Sequence, residues 1–178
     1  MAFTKDIRAA KVSGQMVRIS RAAFDEGWLT GYVVETGPKF FALELITGGV
    51  RLDGMACMRF ADVTECGPEP HAAFIERALK ARGAVRAKTA PADLSTHGSL
   101  IGSAGKAFPI VTLHVPAEEN RYDCYIGQVI AVNAASVDLR HISPDAEWED
   151  GLREIPFREI VRVDFGGDYE DALFLAAI

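Results

Sequence analysis

One stretch of this chain occurs twice. GYVVETGPKFFALELI, beginning at Gly31, lies over GQVIAVNAASVDLRHI, beginning at Gly127. Gly31 falls on Gly127, Val33 on Val129, Leu43 on Leu139 and Ile46 on Ile142, a constant offset of 96. One inserted residue later, Leu52–Gly54 (LDG) lies over Glu149–Gly151 (EDG), and FADVTE at Phe60 lies over FREIVR at Phe157. Identities are sparse, but their order and spacing hold, which marks one supersecondary unit used twice.

Each copy reads as short strands. In the first these are Met16–Ser20, Leu29–Glu35, Phe40–Ile46, Met55–Phe60 and Val63–Cys66. In the second they are Ile110–Val115, Cys124–Val132, Ser136–Ile142, Arg153–Pro156 and Ile160–Phe165. Apolar residues alternate with polar ones, and Gly and Pro stand between runs, the pattern of antiparallel strands. Five strands in so few residues bury an interior by curling into a small barrel. The expectation is therefore a mainly β chain: a first small barrel over 1–67, a linker over 68–108 and a second barrel with a tail over 109–178. In the linker, HAAFIERALKARG predicts a helix, with Phe74, Ala78 and Leu79 at helical spacing and Gly83 closing it. GSLIGSAGKA fits a short, glycine-weakened helix. The tail YEDALFLAAI fits either a helix or an edge strand. Modules of roughly 60 residues have thin cores, so the copies should pack against each other, the linker or another subunit.

The order of strands, with a glycine at the start of the second (Gly31, Gly127) and a short strand, tight turn and last strand at MRFADV and IPFREI, resembles the Sm-like fold. The resemblance implies five bent strands per copy, often preceded by a helix. LDG, GLREIPFREIVRVDFGGDYEDAL and Thr112–His114 (TLH) are also similar to a family of uncharacterised bacterial proteins, which brings no activity with it. The RNA site of Sm-like proteins does not carry over. Arg59 matches their arginine, but Phe60 replaces the glycine after it, and Pro156 and Phe157 replace both in the second copy. The turns ETGPKF and VNAASV lack the polar pattern that reads RNA, with Asn133 a loose echo.

The net charge is −6, from 25 acidic and 19 basic residues, which opposes phosphate backbones at long range. The basic stretch is Arg77, Lys80, Arg82, Arg86 and Lys88, which reads as a solvated helix face. Cys57, Cys66 and Cys124 are odd in number and form no C-x-x-C pair, so neither a disulfide framework nor a zinc ribbon is indicated. Cys57 and Cys124 lie in apolar stretches and read as buried thiols. That fits a reducing, cytoplasmic setting. The N-terminal MAFTKDIRAAKVSGQ lacks an apolar signal core, and the apolar runs are too short to span a membrane.

No catalytic motif stands up. GSLIGSAGKA lacks the first glycine of a phosphate loop (Leu100) and its final hydroxyl (Ala107). His71, His97, His114 and His141 form no metal-binding pair. His114 sits on the polar side of its strand, opposite Val111, Leu113 and Val115, while His141 takes the core position of Leu45. The loop DAEWED, with Asp145, Glu147, Glu149 and Asp150 around Trp148, places Asp150 and Pro156 where a calcium loop needs Gly and Glu. No serine stands in a nucleophile elbow. A Cys124–His141 dyad is the one nucleophilic pairing the strands suggest, although Cys124 aligns with Trp28, a packing position. No cofactor or metal is indicated. The expected function is that of a non-enzymatic binding or scaffold protein working through edges and loops, with a protein partner or self-association. Nucleic-acid or nucleotide binding through an Sm-like face is the alternative, and an enzyme with its site at the seam between copies is the third reading.

Overall fold

The computed structural model describes residues 3–117 and 122–177; Met1, Ala2 and Ile178, at the ends of the segments expected above, lie outside it. In chain order the elements are α1 (Thr4–Ser13), β1 (Met16–Ser20), β2 (Leu29–Thr36), β3 (Phe40–Ile46), β4 (Leu52–Arg59), β5 (Glu65–Pro68), α2 (Ala72–Ala81), α3 (His97–Ala107), β6 (Val111–Pro116), β7 (Tyr122–Val132), β8 (Ser136–His141), β9 (Arg153–Pro156), β10 (Arg162–Phe165) and α4 (Asp168–Ala176). A 3-10 turn precedes both β5 (Phe60–Asp62) and β10 (Phe157–Glu159).

All ten strands join one open antiparallel sheet, in the order β5-β1-β2-β3-β4-β10-β6-β7-β8-β9. This corrects the expected pair of five-stranded small barrels. Neither copy closes on itself: β4 meets β10 of the second copy, and β5 and β9 remain at the two ends. The reason lies in burial. Gly31–Val34, Phe40–Glu44 and Met55–Met58 are buried without alternation. Strands buried on both faces belong to a sheet covered on both sides, whereas a barrel wall keeps one face wet.

Helices supply the cover. On one face Ile7 and Ala10 of α1 pack on Val17, Ile19, Val33, Phe41, Leu43 and Met58. On the other, Ile75 and Leu79 of α2 and Leu100, Ile101 and Ala104 of α3 join Tyr32, Phe40 and Cys57 from the first copy with Val111, Leu139, Val163 and Phe165 from the second. That core runs through both copies. Leu173 of α4 forms a smaller cluster with Ile110 and Ile142. The tail is thus helical. In α2 the buried stripe is Ile75 and Leu79, and Phe74 is turned to solvent.

The repeat is written into the registers. β2 meets β3 at Gly31↔Leu45, with a bulge between Val33 and Glu35; β7 meets β8 at Gly127↔His141, with a bulge between Val129 and Ala131. Each copy gives the same five-strand order, its last strand beside its first.

Candidate functional site

The seam between the copies is the pairing of β4 with β10, over Met55–Met58 and Arg162–Phe165. Val163 and Phe165 point into the shared core, so strand alternation turns Arg162 and Asp164 to the opposite face. There Asp164 accepts from Arg162 Nε at 2.7 Å and Nη2 at 2.5 Å. Its Oδ2 also lies 3.1 Å from His114 Nε2 on β6. All three side chains are nearly buried, with Arg162 and His114 at 12% and Asp164 at 13% exposure. Burial pushes the Asp164 carboxyl up, but the charges of Arg162 and His114 and their hydrogen bonds hold it well below the usual range. Burial opposes charge on His114 as well, yet Asp164 outweighs it and raises the imidazole to about 9.

Two further contacts tie the seam. Arg21, whose side chain is wholly buried, donates from Nη1 to the Val161 carbonyl at 2.9 Å and is paired with Asp25. Asp53 on β4 accepts the Asp168 N–H at the start of α4 at 2.7 Å. The seam is therefore joined by backbone pairing, apolar core and buried charge together.

At the ends of the sheet the same two positions stand open. β5 corresponds to β10, and β9 corresponds to the part of β4 that β10 covers. Glu69 N–H donates to Met16 O, and Phe157 N–H to Ala135 O. Alternation then directs the amides of Glu65 and Gly67 inward and that of Cys66 outward; on β9 those of Arg153 and Ile155 point inward and that of Glu154 outward.

His141 and the Trp148 loop, the residues singled out in the second copy, are engaged within the fold. His141 Nδ1 is 2.9 Å from Glu149 Oε1, and Glu149 also holds Arg153, whose bond is the main cause of its lowered titration. Trp148 packs against the Ile110–Leu173 cluster, bridges to Ile142, and lies under Arg140 at 4.7 Å. The basic stretch is partly spent on internal contacts: Arg82 donates to the carbonyls of Gly49 and Val50, and Arg86 lies over the Tyr32 ring at 3.4 Å. GSLIGSAGKA is the helix α3, capped by Thr96, with Gly98, Gly102 and Gly105 against Val129 and Val132 of β7; its glycines make room for a strand. Among the described residues no group of three or more His, Cys, Asp or Glu is placed to hold a metal, and no helix is long and apolar enough to cross a membrane.

The cysteines divide. Cys57 is buried, Cys66 half-buried and Cys124 exposed, all as free thiols. Cys124 thus departs from the buried reading. Its histidine neighbour is not His141 either: His114 is its cross-strand partner, with Nδ1 3.5 Å from Cys124 Sγ.

Comparison with family models, with curated proteins and with solved structures finds no match to this chain.

Proposed function

We propose that this chain is a non-enzymatic binding or scaffold protein that acts through the open edges of its sheet, with a second copy as the simplest partner. The observation that carries this reading is the seam. Inside the chain, a β4-type edge and a β5-type edge pair over four residues. The ends of the sheet present one edge of each type, β9 and β5. Transferring the seam register to them sets Glu65 opposite Ile155, Cys66 opposite Glu154 and Gly67 opposite Arg153. Cys66 and Glu154 are the residues whose amides turn outward, so the transferred register matches donors with acceptors. Unpaired strand edges invite another strand, and a head-to-tail contact of this kind closes into a ring or runs on as a filament. Pro68 and Pro156 end the two edge strands, which confines the pairing to a short match. The thiols of all three cysteines suit a reducing, cytoplasmic setting.

Sedimentation across a concentration series tests the reading. The wild-type chain should associate, and Glu154→Pro, which removes an outward amide and no backbone bond to β8, should leave a folded monomer by circular dichroism; Glu154→Gln, which keeps a side-chain acceptor for Ser136 Oγ on β8 and the outward amide, should still associate. A wild type monomeric at every concentration, with native capture returning no protein, overturns the reading. Submicromolar, sequence-dependent binding of RNA in an anisotropy assay would replace it with the nucleic-acid alternative.

A further inference from the structure

The seam cluster extends one strand further than the seam itself requires. His114 lies between Arg162 on β10 and Cys124 on β7, each opposite it in register. Its Nε2 faces Asp164 at 3.1 Å, and its Nδ1 faces Cys124 Sγ at 3.5 Å. Asp164 is in turn fixed by two bonds from Arg162. Thiol, imidazole and carboxylate thus form a chain, buried at the carboxylate end and exposed at the sulfur. A thiol beside an imidazolium that a third group holds charged is the arrangement of an activated nucleophile.

We propose that Cys124, His114 and Asp164 form a reactive-thiol site at which Cys124 is reversibly modified by low-molecular-weight disulfides. Thiol–disulfide exchange asks for a thiolate, which a neighbouring cation favours, and for access. Here Asp164 holds His114 as the imidazolium through Nε2, and the Nδ1–H facing the Cys124 sulfur favours the thiolate, the thiol proton passing to water. The Cys124 sulfur attacks one sulfur of the disulfide RSSR. A new Sγ–S bond forms, the RS–SR bond breaks, and the departing RS⁻ takes up a proton from water, replacing the one Cys124 released. The products are the mixed disulfide at Cys124 and one RSH. One disulfide is exchanged for another, the electron pair of the broken RS–SR bond leaving with RS⁻, and no further reactant is needed. Among the described residues, the charged groups facing His114 are Asp164 and Arg162 on β10, with the Cys124 sulfur on β7. The other two thiols are poor competitors. Burial pushes Cys57 far up and Cys66 up to about 11. Cys57 also lies in the core on the opposite face of the sheet.

The full chain, treated with oxidised glutathione and followed by intact and peptide mass spectrometry, tests this. One glutathione should add, at Cys124, and dithiothreitol should remove it; Cys124→Ser should take up none. In the wild type the rate at pH 6 should stay within about threefold of that at pH 8, where an unassisted thiol would fall roughly 50–100-fold. His114→Asn, folded by circular dichroism, should slow the reaction at least tenfold at pH 6 and much less at pH 9. The proposal is overturned if Cys66 reacts first, if the wild-type rate falls with pH as an unassisted thiol does, or if folded His114→Asn reacts as fast as wild type. The wild-type pH profile decides the matter should His114→Asn not fold.

Discussion

At Gly127 an added methyl carbon would sit 2.1 Å from the Arg140 carbonyl oxygen, and at Gly31 it would sit 2.1 Å from that of Glu44. Both obstacles are backbone atoms of the neighbouring strand, so no rotamer change relieves them. These glycines let β2 and β7 press against β3 and β8, and the corresponding carbonyl at each position accounts for a glycine in both copies of the repeat. Gly127→Ala should cost about 3 kcal/mol, the upper part of the range for overpacking, measured by urea unfolding; a loss under roughly 0.5 kcal/mol would contradict the close approach. His114 supplies a second prediction. Its titration is raised to about 9 in the fold, above the ordinary value of 6.5. The sign follows: its stabilisation is complete below about pH 6.5 and is lost as pH rises through about 9. His114→Gln should therefore cost on the order of 3 kcal/mol at pH 6 and clearly less at pH 10. An equal cost at both pH values would show that Asp164 does not hold the imidazolium. Asp164 works in the other direction. Its lowered titration stabilises the fold above the normal carboxylate range, and that contribution fades in acid.

At the scale of elements, α3 and β7 fit because three glycines of the helix face two valines of the strand. A methyl carbon on Gly105 would lie 2.6 Å from Val129 Cβ, and one on Gly102 3.3 Å from a Val132 methyl. Gly105→Leu should push α3 away from the sheet and destabilise the chain by roughly 1–3 kcal/mol, whereas the same change at Gly83, past the end of α2 with φ +67 and nothing nearby, should act through backbone strain alone. Unfolding midpoints of the two variants separate packing from strain. Strand positions were legible in the sequence because Val17 and Ile19, or Phe41 and Leu43, repeat at period two. The helix α1 was not: Ile7 and Ala10 are its buried residues, too few for a periodic signal in Thr4–Ser13. Phe74 misled the reading of α2 for the converse reason, being apolar at helical spacing yet solvent-facing. Of the reactive-thiol site, the sequence placed His114 on the polar side of its strand and Cys124 near a histidine. It gave no means of choosing His114 over His141, because that choice rests on cross-strand register. Asp164 was out of reach, since its neighbourhood depends on β10 lying beside β6.

For the whole molecule, the strand list and the repeat were legible, and the closure was not. Alternation within a strand says which side chains share a face, but says nothing of which edges meet, so two barrels and one ten-stranded sheet share much of one sequence pattern. The tell was the unbroken burial of Phe40–Glu44 and Met55–Met58, which a wall with one wet face does not show. The consequence is physical. Val163 and Phe165 stand in the same core as Met55 and Cys57, and the backbone of β10 completes the edge of β4. Neither copy can then unfold without stripping cover from the other, and the two should melt as a unit. The chain carries its own reporters, Trp28 in the first copy and Trp148 in the second. Trp28 is partly exposed beside Arg18, and Trp148 packs under Arg140, so each fluoresces from a distinct local setting. Single-tryptophan variants, Trp28→Phe and Trp148→Phe, should give urea unfolding curves that agree with the far-ultraviolet circular dichroism of the same variant. After allowance for each substitution's own cost, the two should share one slope. Separation of the fluorescence and dichroism transitions within either variant would mean that the copies unfold independently. The seam would then be a contact between two stable modules and not the middle of one sheet.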